Sequence, residues 1–222
     1  MQRPQSMAHD TPTVSATPPD AARWMRIALW LVGATMAYNA VEAGVALWAG
    51  ERAESISLLG FGLDSLIELA AALALFWRLS REWAGADHEA VERSERFVLR
   101  LVGATFIGLA LYVTADAGWT LWAGEAPARS LPGIALAAAS LVIMPLVAWA
   151  KLRAAARLDS SALRAEAKET LACSYLSAVL LLGLGANALL GWWWMDPAAA
   201  LAMVPWLLKE GREGLAGEHC DD

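Results

Sequence analysis

SISLLGFGLDSLIELAAALALFW, residues 55–77, decides the fold. The stretch is apolar and long enough to cross a bilayer core, which takes about 20 residues in a helix. Asp64 and Glu68 nevertheless stand in its middle third. An acidic side chain at the centre of a membrane helix costs roughly 2.5 to 3.5 kcal/mol on insertion scales, so two of them imply a compensating partner or a task. Their spacing of four residues puts both on one helix face, one turn apart, within reach of a common ion.

A second such pair lies in AEAKETLACSYLS, residues 165–177, where Glu169 and Cys173 repeat the spacing. Both pairs fall at a comparable distance from the starts of their own helices, so antiparallel packing brings them to one depth. A cysteine among three carboxylates suits zinc or another borderline metal better than magnesium or calcium. Plainer readings stand beside this one. The two acids of the first pair could be protonated and serve packing, Glu169 could be an interfacial charge, and Cys173 could be a small buried hydrophobe. Glu166, one turn before Glu169 on nearly the same face, could take its place. Gly60 and Gly62, beside Asp64, read as close helix packing rather than ion contact.

Outward from these stretches the whole chain reads as an all-α integral membrane protein. Hydrophobic residues are 58% of 222 positions, charged residues 18%, and mean hydropathy is +0.42, outside the range of soluble domains. Six apolar segments emerge: 24–48, 55–77, 97–123, 131–150, 161–191 and 196–209. The last is short, with Asp196 and Pro197 reading as its N-cap and first turn, and an amphipathic continuation through Leu215 would complete its crossing. Residues 1–22 read as a disordered leader, 23–213 as a six-helix domain and 214–222 as a short polar tail.

With both termini in the cytoplasm, 15 of the 17 Lys and Arg fall inside, leaving Arg52 and Arg129 outside. That asymmetry fits an even number of spans, and Trp48, Trp122 and Trp192 to Trp194 then form an outer aromatic belt. The stretch from Lys151 to Lys168 reads as an ordinary positive-inside loop. YNAVEAGVALWAGE at 38–51 matches YVTADAGWTLWAGE at 112–125, so helices one and three read as copies, each the first arm of a helical hairpin. The repeat sets Glu42 against Asp116. Glu42, with Asn39 one turn away, is a candidate for a supporting or exit-path role, while Asp116 could equally cap or pair at the helix surface. The tail residues His219, Cys220, Asp221 and Asp222 could capture an ion.

The residues of 55–68 and 165–177 together resemble the cation diffusion facilitator (cation efflux) family. Its second helix has a serine-rich start, then an acid or histidine, then another acid four residues on. The resemblance implies a six-helix transmembrane domain that exports divalent cations such as zinc in exchange for protons, with Asp64, Glu68, Glu169 and Cys173 as metal ligands. It departs at Glu68 and at the Glu169–Cys173 pair, where the family commonly shows aspartate or histidine. It also implies a short form lacking the family's cytoplasmic C-terminal domain, so that any homodimer forms through membrane helices. The metal is then substrate, and no prosthetic group is expected. Burial favours the neutral form of a carboxyl, so loss of the metal favours protonation and the two ions compete.

The expected place is the lipid bilayer of a bacterial inner membrane, with no nucleic-acid partner. Two alternatives remain: a non-transporting metal-responsive or partner-binding subunit, and an organic-cation/proton antiporter using Glu42. An enzyme is not expected. His9, His88 and His219 all lie outside the apolar segments, and no Gly-rich phosphate loop with its lysine occurs.

Overall fold

The computed structural model describes residues 19–83 and 88–216. Six helices fill them: α1 (Pro19–Ala53), α2 (Ile56–Trp83), α3 (His88–Ala123), α4 (Leu131–Leu158), α5 (Ser161–Leu190) and α6 (Met195–Ala216). No strand occurs among the described residues. The expected leader lies outside the described residues through 18, and residues 19–22 already belong to α1, which opens on Pro19 where a proline costs no hydrogen bond. The polar tail lies outside from 217, while 214–216 extend α6.

Four stretches are both long and apolar enough to span a bilayer: Ile56–Trp77, Val102–Ala123, Leu131–Leu158 and Glu166–Leu190. α1 and α6 have the length, at about 1.5 Å per residue, but Asn39 and Glu42 dilute the first and Asp196, Lys209 and Glu210 the second. Their polar residues mostly turn inward: Asn39, Glu42 and Asp196 are buried. The outer face of the bundle is apolar, with Trp30, Leu111, Leu146, Leu182 and Leu189 all exposed.

The helices close a ring in the order α1, α4, α5, α6, α3, α2, and α2 also reaches across to α5 and α6. This corrects the hairpin expectation for the second copy. α1 does pack on the returning α2, but α3 finds its partners in α2 and α6, while α4 packs on α5 and α1. The connection from α3 to α4 explains the divergence. Ala128 N–H donates to Ala53 O at 2.7 Å, and Asn187 Nδ2 donates to Pro127 O at 3.0 Å, so the loop is carried over to α1 and α5.

Small residues set the crossings around α2. A Cβ on Gly62 would meet Leu47 of α1 at 2.9 Å, and one on Gly60 would meet Val113 of α3 at 3.2 Å, which accords with the packing reading of both glycines. α3 and α6 approach backbone to backbone, where a Cβ on Gly103 would lie 2.6 Å from Leu215 N and 2.7 Å from Gly214 C.

Asp196 does something other than start its own helix. Its carboxylate accepts from Ser55 Oγ at 2.6 Å, from Ser57 Oγ and from Ser57 N–H at 3.4 Å. The first turn of α6 thus satisfies the N-terminus of α2, where a negative charge meets free N–H groups and the positive end of the helix dipole.

Candidate cation-binding site

Asp64, Glu68 and Glu169 line one small cavity. α2 supplies the first two and α5 the third, with Glu210 of α6 on the remaining side and Ala71, Phe106 and Trp206 as apolar walls. The open space is about 10 Å³, about what a single water needs. A hydrated ion does not fit there, whereas a bare one does. Asp64 is 2% exposed, and its Oδ2 is buried without a hydrogen-bond partner. That arrangement is costly unless a ligand satisfies the oxygen. No three Asp, Glu, His or Cys side chains among the described residues already surround a common point, so holding an ion requires rotation of the longer glutamates toward it.

Asn39 of α1 steadies the cluster from outside. Its Nδ2 donates to Glu68 Oε2 at 3.1 Å, while its own Oδ1 is buried and unpartnered. Glu42, one turn on, turns to a different set of groups. Ser65 Oγ donates to its Oε2 at 3.0 Å, Ser140 Oγ donates to its Oε1, and Tyr38 OH joins Ser140 Oγ at 2.7 Å. Cys173 belongs to this network: its thiol points at Glu42 Oε2, 3.9 Å away, and it is not among the residues lining the cavity. The structure therefore lines the cavity with three of the four expected ligands and sets Cys173 one turn along α5, outside the lining, beside Glu42 and Glu68.

Glu166 is likewise taken. Lys151 Nζ of α4 donates to its Oε1 at 2.5 Å and to Thr170 Oγ1 at 2.9 Å, and Lys151 is fully buried. This corrects the reading of Lys151 as part of a solvated positive loop. Between Glu166 and Glu169 the geometry divides the work, one holding a lysine and the other facing the cavity. Lys151 also lies within electrostatic reach of Glu68 and Glu169, opposite in sign. Asp116 stays apart, partly exposed on α3 beside the Tyr112 hydroxyl. The tail group His219, Cys220, Asp221 and Asp222 lies outside the described residues.

Residues 32–215 match the family described as cation efflux transmembrane domain. The chain belongs to the cation efflux family. It is a multi-pass membrane protein on the joint strength of that match and its spans. A curated relative, an uncharacterized transporter of Synechocystis sp., is 31% identical over 175 residues, which are 78% of this chain and 55% of the relative. The chain thus spans about half the length of the curated relative it matches.

Within this cation efflux domain, sequence reasoning missed Glu210. It lies just past the end assigned to the last apolar segment, where an acid reads as part of a polar flank. The available signal was helical spacing. Trp206 and Glu210 share a face at i and i+4, while Lys209 and Glu213 form a surface pair at 3.6 Å on another. Tyr38, Ser65 and Ser140 were missed as partners of Glu42 because nothing local marks hydroxyls that meet across three helices.

Proposed function

We propose that this chain moves divalent metal cations out of the cytoplasm across a bacterial inner membrane, in exchange for protons. The observation that carries the reading is the cavity where Asp64, Glu68 and Glu169 converge, with one oxygen of Asp64 buried and unpartnered. Membership of the cation efflux family supports it, as does the likeness to a transporter of Synechocystis sp.. The cavity's size favours a dehydrated ion over an organic cation. Glu42, enclosed by Ser65, Ser140 and Cys173, is better placed to hold α1, α2, α4 and α5 together than to exchange with solvent.

The mechanism follows from the donor set. Carboxylates bind either a metal or protons, and a buried cluster favours whichever neutralises it. The bundle reseats around the ion, so that the site opens to one side or the other, by one group of helices rocking against the rest. Zinc is the expected ion if Cys173 joins the site, and an oxygen-only set changes that choice. Metal uptake into inverted vesicles tests the function: wild type accumulates metal and Asp64→Ala does not. Equal uptake by the two proteins would refute this site. Cation binding without flux in liposomes would instead favour a non-transporting subunit.

A further inference from the structure

We propose that Glu210 of α6 is the fourth ligand of the site, in the place expected for Cys173, and that the site takes oxygen-seeking divalent cations of the Mg²⁺ and Mn²⁺ class in preference to zinc. The proposal rests on the reading of the Asp64 cavity as the transport site, and it adds both a ligand and a substrate class.

Four observations carry it. Glu210 lines the same cavity as Asp64, Glu68 and Glu169, and Cys173 does not. The thiol is directed at Glu42 Oε2, 3.9 Å away, and meets Glu68 from outside the cavity lining. The nearest cation to Glu210, Lys209, makes its ion pair with Glu213 at 3.6 Å and lies over the Trp206 ring, 4.8 Å from its centroid. The buried, unpartnered Oδ2 of Asp64 gives the cavity an unmet demand for a cation.

The chemistry follows from the donors. Four carboxylates form a hard, all-oxygen set, which suits Mg²⁺ or Mn²⁺, whereas a thiolate would select zinc or cadmium. Phe106, Trp206 and Ala71 wall the space with carbon, so no other protein donor competes there. The buried ammonium of Lys151, within electrostatic reach of Glu68 and Glu169, offsets part of the repulsion among the acids. Drawing the fourth ligand from α6 also changes the moving parts. The ion then ties α2, α5 and α6 together, and α3 follows α6 because their backbones touch at Gly103.

Two measurements on the purified full chain test the proposal. In the first, Mn²⁺ is titrated and the free ion is read by electron paramagnetic resonance. Wild type is expected to bind, Glu210→Gln to bind about tenfold or more weakly, and Glu210→Asp to recover part of the loss. In the second, Cd²⁺ is added to Cys220→Ser protein, in which Cys173 is the sole thiol, and cadmium–thiolate absorption in the ultraviolet is expected to be absent. Unchanged Mn²⁺ binding by Glu210→Gln, or the appearance of thiolate absorption, overturns this proposal while leaving the cavity as a cation site. Absence of divalent-cation binding by wild type overturns the transport reading with it. The cadmium experiment decides the ligand set even if Glu210→Gln does not fold.

Discussion

Asp64 shows how a single side chain exposes a site. A buried carboxylate oxygen without a partner lowers stability, and proteins keep such groups where function needs them. Asp64→Asn is therefore expected to raise thermal stability in detergent, by about 1 kcal/mol, while abolishing cation binding. Lost stability in that variant would make Asp64 a packing residue. Lys151 leads to the opposite expectation. Removing one partner of a buried ion pair costs about 3 to 5 kcal/mol, whereas replacing both with apolar groups is often neutral. Lys151→Met is expected to lower the melting temperature strongly, and adding Glu166→Met to restore most of it. The two variants melting alike would show that the 2.5 Å contact carries no coupling.

At this scale the sequence was informative wherever spacing along one helix suffices. Asp64, Glu68 and Glu169 were recognisable because an acid inside an apolar helix is anomalous by itself. Cys173 lies outside the cavity lining because i, i+4 spacing puts it on the Glu169 face but one turn further along α5, where its thiol meets Glu42 of another helix. Lys151 was misread because a lysine near the end of a span resembles a snorkelling residue until its partner, fifteen positions on, is seen across the turn.

Among the elements, α2 is the pivot. It packs against α1, α3, α5 and α6, carries two of the cavity's acids, and has its first turn held by Asp196 of α6. Hydropathy located α2 to α5 well because they are the most apolar elements. It served α6 poorly, since Asp196 turned into the bundle and Lys209, Glu210 and Arg212 near its end thin the signal, and so Glu210 fell outside the assigned segment. The crossing of α3 and α6 leaves no room for a side chain at Gly103. Gly103→Ala places a methyl group against the α6 backbone, and is expected to destabilise by about 1 to 3 kcal/mol. Because α6 carries Trp206 and Glu210, the same variant is expected to weaken cation binding from a position that touches no ion. Stability and binding equal to wild type in Gly103→Ala would refute the close approach of the two helices.

For the whole molecule, polar groups are stacked through an otherwise apolar bundle. Along α5 come Glu166 with Lys151, then Glu169 at the cavity, then Cys173 with Glu42, and finally Asn187 against the loop before α4. The ring order that assembles this stack was not legible in the sequence, because the repeat at 38–51 and 112–125 suggests two equivalent hairpins. Only contacts between distant helices reveal that α3 pairs with α6. The cationic residues over aromatic rings, Arg81 on Trp77 and Arg153 on Trp149 toward one end and Arg52 on Trp48 toward the other, fit anchoring at the two interfaces.

The proposed site holds one dehydrated divalent cation between α2, α5 and α6. Anomalous diffraction from crystals of the full chain grown with Mn²⁺ tests it most directly. A single manganese peak is expected inside the bundle, within coordinating distance of Asp64, Glu68 and Glu169. A bundle with no peak at that cavity, or with its peak between Glu42 and Cys173, would contradict it.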